Sequence, residues 1–168
     1  MPRKIVRYFD GGLPTNRCNL GCAYCYVSQD AGLGWNLNKN DSLDYSIEHM
    51  KYALRQERLG GSCMFNFVAA GETLLFPQLY ELVEMITSLG HYARIVTNGT
   101  FTPALHKLAE LPETNKENLT IKFSMHYLVL KEKNLLDKFF QNIGFVKENH
   151  ISYSVEICAS DDFVPYVD

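Results

Sequence analysis

The stretch Leu119-Thr120-Ile121-Lys122-Phe123-Ser124-Met125-His126 alternates residue by residue. Leu119, Ile121, Phe123 and Met125 fall on one face of a strand, with Lys122, Ser124 and His126 on the other. Ile151–Ser160 repeats the pattern: Ile151, Tyr153, Val155 and Ile157 oppose Ser152, Ser154, Glu156 and Cys158. A doubly wound parallel sheet is apolar on both faces. One apolar face under helices and one polar face suit instead a curved sheet whose concave side holds something polar.

Working outward, strand and helix patterns alternate along the chain. Strands are expected at Lys4–Phe9, Cys63–Ala69, Arg94–Thr97, Leu119–His126 and Ile151–Ser160. Leu43, Ile47, Met50 and Leu54 recur at helical spacing, with Asp41 or Ser42 as N-cap and Gly60-Gly61 as terminator. Pro77 opens a second helix that buries Leu79, Leu82, Val83, Ile86 and Leu89, with Gly90 past its end. Thr102-Pro103 caps a short helix through Glu110, and Lys131–Glu148 reads as one helix with Phe139 and Val146 among its inner residues. Gly32, Gly34 and the Asn-rich run from Asn36 to Asn40 read as loop. Successive β-α units imply a parallel sheet with right-handed crossovers. The expected fold is α/β, a partial, open TIM-like (β/α) barrel with a parallel curved sheet of about five strands and outer helices, all one domain over residues 1–168.

Composition narrows the function. The 168 residues are 46% hydrophobic and 12% aromatic, values of a globular chain. A formal net charge of −3 gives no electrostatic case for nucleic acid or an anionic membrane. The N-terminal residues carry no apolar signal region, and no apolar run reaches membrane-spanning length. With reduced cysteines, this points to the cytoplasm.

The chemistry concentrates in Cys18-Asn-Leu-Gly-Cys22-Ala-Tyr-Cys25-Tyr26. Three thiolates from one tight loop select an iron–sulfur cluster, zinc or Cu(I). A disulfide framework fits five cysteines in 168 residues poorly, since they show no pairing pattern. A zinc knuckle needs a fourth ligand, and His49 and Cys63 have no recognisable spacing partner. A ferredoxin cluster would want a fourth cysteine close by. Three ligands leave one iron of a cubane open.

The loop resembles that of the radical S-adenosylmethionine (SAM) superfamily, in which three cysteines hold a [4Fe–4S] cluster and SAM chelates the fourth iron. The resemblance implies that Cys18, Cys22 and Cys25 ligate the cluster, with Tyr24 at the family's aromatic position. Ala70-Gly71-Glu72 resembles the family's Gly-Gly-Glu, so Gly71 and Glu72 are implied contacts to the methionine end of SAM, the glycine allowing close backbone approach. Thr97 and Asn98 resemble the Thr-Asn-Gly that ends the third strand in relatives, and Ser124 their strand-four serine, each implied to face SAM. Lys131 and Lys133 stand as candidates for a carboxylate-binding cation, and His126 as a rim residue. Cys63 and Cys158 read as structural thiols. These motifs all fall at strand C-terminal ends, where parallel β-α folds gather function.

By resemblance the chain is the core of an enzyme that cleaves SAM reductively to a 5′-deoxyadenosyl radical, which abstracts hydrogen from an unidentified substrate. An electron donor such as flavodoxin or ferredoxin is implied. Relatives commonly continue beyond a fifth strand, so the core is expected to be cut short after Ser160. That leaves a second reading, a non-catalytic iron–sulfur or SAM-binding module or a truncated remnant. It also implies a fifth-strand edge that self-associates or takes a partner chain.

Overall fold

The computed structural model describes residues 4–29, 41–159 and 161–166. Its elements in chain order are β1 (Arg7–Leu13), α1 (Tyr26–Gln29), α2 (Ile47–Ala53), α3 (Gln56–Leu59), β2 (Cys63–Ala69), α4 (Leu79–Ser88), β3 (Tyr92–Thr97), α5 (Thr102–Ala109), α6 (Glu113–Lys116), β4 (Leu119–Met125), α7 (Tyr127–Glu132), α8 (Leu136–Glu148) and β5 (Ser152–Ile157). Short 3₁₀ turns cover Thr73–Leu75 and Asp161–Tyr166. The strands form one open sheet in the order β1-β2-β3-β4-β5, every pair parallel. This is the curved half-barrel that the alternation predicts.

Register runs straight across the sheet, so one residue type lines up with its like. Phe67, Ile95, Ile121 and Tyr153 are partners in a row. So are Asn66, Arg94 and Thr120 on the opposite face. The apolar face carries Phe65, Ala93, Ile95, Leu119, Ile121 and Phe123, all buried. Leu82, Val83 and Ile86 of α4, Leu105 of α5 and Phe139 of α8 join it in the same core cluster. Phe123 and Phe139 meet edge-to-face at 5.8 Å, the geometry ring quadrupoles favour.

The concave face is polar, and its groups satisfy one another. Asn66 donates to the Asp10 carboxylate at 2.7 Å and accepts from Arg94 Nε at 2.8 Å. Arg94 also reaches the Tyr8 hydroxyl, and Lys122 pairs with Glu156 at 2.5 Å. Asp10, Asn66 and Arg94 occupy the layer toward the strand N-termini, whereas Lys122 and Glu156 stand in register with Val96 and Ser124. The more C-terminal positions on the same face, Val68, Val96 and Ser124, line a cleft.

Several boundaries differ from the sequence reading, each for a local reason. β1 begins and ends later than Lys4–Phe9, because Arg7 through Leu13 pair in register with Cys63 through Ala69. The first long helix is capped by Ser46, not Asp41 or Ser42; its hydroxyl accepts from the His49 amide at 3.2 Å. That helix breaks at extended Arg55 and restarts as α3, which ends on left-handed Gly60. α5 has no side-chain cap: Thr102 is its first residue, and its hydroxyl donates to Asn142 at 3.0 Å instead. Lys131–Glu148 is not one helix. Asn134 adopts φ 55°, and the Leu135 amide reaches back to the Leu130 carbonyl at 2.8 Å, closing α7 before α8 begins. β5 stops at Ile157, and its apolar residues Tyr153, Val155 and Ile157 are exposed, because β5 is an edge strand with α8 packed on one side. Gly32, Gly34, Asn36–Asn40 and Ser160 lie outside the described residues. No helix among the described residues is long and apolar enough to cross a membrane.

Candidate active site

The cysteine loop leaves β1 at buried Leu13 and is clamped to the end of β2 by backbone bonds. The Gly71 amide donates to the Thr15 carbonyl at 3.1 Å, and the Glu72 amide to the Arg17 carbonyl at 2.7 Å. Approach is so close that a Cβ at Gly71 would lie 2.1 Å from the Arg17 carbonyl oxygen. The glycine is therefore required by the chain's own loop, whatever ligand lies beyond it. Arg17 steadies the same loop, donating to the Leu75 carbonyl at 3.0 Å and pairing with Asp41 at 2.5 Å.

The end of β3 is knitted to the loop by side chains. Asn98 donates to the Asn19 side-chain oxygen at 2.9 Å and lies 3.9 Å from Cys18 Sγ. Asn19 in turn donates to Thr100 at 2.8 Å. The left-handed turn at Gly99, φ 73°, has no room for a side chain: a Cβ would sit 2.6 Å from the Phe123 ring. Asn19 is a functional-loop residue that motif reading passed over, although it stands inside the quoted Cys-Asn-Leu string.

Glu72 is 3% exposed, and its carboxylate is already engaged. It accepts from Thr97 Oγ1 at 2.5 Å, from the Asn98 amide at 2.8 Å and from the Leu74 amide at 2.9 Å. Burial raises its pKa, and these three donors work against that rise. Thr97 also accepts from the Gly99 amide at 2.9 Å. Glu72 and Thr97 thus brace the ends of β2 and β3 against each other.

All the residues singled out above for cluster and SAM share one cleft of about 260 Å³. Cys18, Cys22 and Cys25 line it with Tyr24 from the loop, Gly71 and Glu72 from just beyond β2, Thr97 and Asn98 at the end of β3, and Ser124 from β4. Leu20, Val68 and Val96 give it an apolar lining. His126 lines it too, and its Nδ1 is 2.9 Å from the Tyr24 hydroxyl. Burial lowers the His126 pKa, favouring the neutral ring. Lys131 lies instead beside the rings of Tyr127 and Tyr166, and Lys133 caps the end of α7. Cys63 is fully buried in the core. The Cys158 thiol meets the Ser124 hydroxyl and is near enough to Cys22 and Tyr24 to act on them electrostatically.

Burial and the neighbouring thiols push the Cys22 pKa up to about 11. The protein alone disfavours a thiolate there, and a nearby positive charge such as a metal's would favour it. Among the described residues no three His, Cys, Asp or Glu side chains are grouped to hold a single metal ion. A cubane makes no such demand, since each thiolate takes a different iron. The donor set, three thiols on one cleft, fits such a cluster with one iron left open.

Comparison with known proteins bears on the family and the fold. The Radical SAM superfamily profile matches residues 13–152. A 7,8-dihydro-6-hydroxymethylpterin dimethyltransferase of Methanocaldococcus jannaschii is 28% identical over 130 residues, 73% of this chain and 24% of that protein. Streptococcus suis SuiB bound to precursor peptide SuiA superposes with TM-score 0.52 at 16% identity, covering 92% of this chain and 40% of that one. SuiB bound to S-adenosylmethionine gives TM-score 0.52 at 17% identity, covering 93% and 41%. The chain thus spans about a quarter of the curated relative and two-fifths of the solved ones.

Proposed function

This chain belongs to the radical SAM superfamily, and on that premise we propose that it is an enzyme core whose cleft holds a [4Fe–4S] cluster on Cys18, Cys22 and Cys25. SAM lies beside it, against Tyr24, Gly71, Glu72, Thr97, Asn98 and Ser124. Bound there, the cofactor pair supplies one-electron cleavage of the sulfonium C–S bond, giving methionine and a 5′-deoxyadenosyl radical that takes hydrogen from a substrate carbon.

The chain's own residues hold and shield this pair. Gly71 and the Glu72–Thr97 brace fix the strand ends that the loop rests on. With the Glu72 carboxylate engaged inward, main-chain groups at Ala70 and Gly71 are the acceptors left for the SAM amino group. Ser124 presents a hydroxyl from β4, and Leu20, Val68 and Val96 exclude water. The supporting observation is the convergence of four strand ends and three thiols on one cleft. The electron comes from an external donor such as flavodoxin or ferredoxin. The relatives differ: one is a 7,8-dihydro-6-hydroxymethylpterin dimethyltransferase, the other binds a precursor peptide. The proposal therefore stops at radical formation.

The test is anaerobic incubation of iron-loaded protein with SAM and dithionite. We expect 5′-deoxyadenosine and methionine in equal amounts, and neither without iron. Iron-loaded protein that leaves SAM intact under these conditions would contradict the reading.

A further inference from the structure

One contact joins the first and last walls of the cleft. The cysteine loop is tied to β2 through main chain and to β3 through Asn98, and it meets β4 where the Tyr24 hydroxyl bonds His126 Nδ1 at 2.9 Å. The two residues are 102 apart in sequence, and their rings lie 5.8 Å apart at 32°. We propose that His126 is a positioning residue that acts through Tyr24, fixing the cysteine loop against the end of β4 and so setting the width of the SAM site. This rests on the cluster-and-SAM reading of the cleft.

Three features carry the assignment. Tyr24 stands between Cys22 and Cys25, so whatever fixes its ring fixes two thiol positions. His126 is itself well anchored: it follows β4 directly, and its carbonyl accepts the Leu130 amide at 2.9 Å as α7 starts. Tyr26, two residues on, is 75% exposed, against 38% for Tyr24, so the partnered ring is the one drawn inward. A hydrogen bond between neutral groups contributes modestly, and its service here is geometric. The Tyr24 hydroxyl also hydrogen-bonds the Cys22 side chain, so the phenol links His126 directly to a cleft thiol.

Equilibrium dialysis of SAM against anaerobically iron-loaded protein tests this by a double-mutant cycle. His126→Ala and Tyr24→Phe should each weaken SAM binding by roughly three- to tenfold, the reach of one neutral hydrogen bond. The double mutant should be no weaker than Tyr24→Phe alone, since that change already removes the contact His126 makes. His126→Asn, which offers polar atoms near the Nδ1 position, should recover most of the affinity, a rescue that mere loss of packing would not give. Additive losses, an unaffected His126→Ala, or failure of His126→Asn to outperform His126→Ala would each overturn the proposal while leaving the SAM site standing. A wild-type chain that binds iron but no SAM would overturn it together with its premise.

Discussion

Replacing Cys18, Cys22 and Cys25 together by alanine is expected to give a colourless chain without iron, while wild-type protein purified without oxygen is brown and carries about four irons per chain. The loss should be complete, because the loop supplies all three thiols that line the cleft. Cys63 is sealed in the core, and Cys158 does not line the cleft. Cys63→Ala and Cys158→Ala should therefore keep colour and iron. Circular dichroism should show the sheet intact in the triple variant, since its core is Phe65, Ile95, Ile121, Phe123 and their helix partners. A colourless wild-type protein with one zinc per chain would contradict the assignment of the loop.

Gly71→Ala is expected to do more damage than any other single methyl group added at the site. Its Cβ would meet backbone, the Arg17 carbonyl oxygen at 2.1 Å and Asn16 C at 2.5 Å, and neither can rotate away. Relief requires the loop to lift from β2, losing the Gly71–Thr15 and Glu72–Arg17 hydrogen bonds. Overpacking and two main-chain bonds together amount to roughly 3 kcal/mol. For a domain this size that lowers Tm by about 6–12 °C, and iron uptake should fall with it. Ala70→Gly, one position earlier, is the control for backbone loosening. A Gly71→Ala protein with wild-type Tm and iron content would show that the loop does not dock as described.

What sequence alone conveyed, and what it did not, follows from the range of the interactions. Alternation in Leu119–His126 is local, so the two-faced sheet was legible, and the register of Phe67, Ile95 and Ile121 bears it out. The family resemblance, carried by the cysteine string, agrees with the profile match over residues 13–152. Helix ends were less legible. Ser46 wins the cap over Asp41 and Ser42 by one hydroxyl–amide contact, and Asn134 ends α7 by entering a conformation its neighbours do not announce. Long-range pairings were not legible at all. Nothing near Glu72 in sequence says that Thr97 will donate to it, or near Gly71 that Arg17 will press on it. Gly71 was read as making room for SAM, yet the chain itself already needs that room. His126 was read as a rim residue because its partner, Tyr24, lies far upstream.

A cluster held in this cleft by Cys18, Cys22 and Cys25 would keep one iron open for SAM. Electron paramagnetic resonance of the dithionite-reduced, iron-loaded protein, recorded with and without SAM, tests it most directly. The expected result is a reduced-cluster signal whose g values shift when SAM is added, because a new ligand enters the iron that lacks a cysteine. A spectrum unchanged by SAM at concentrations where dialysis shows it bound would contradict it, placing SAM away from the iron.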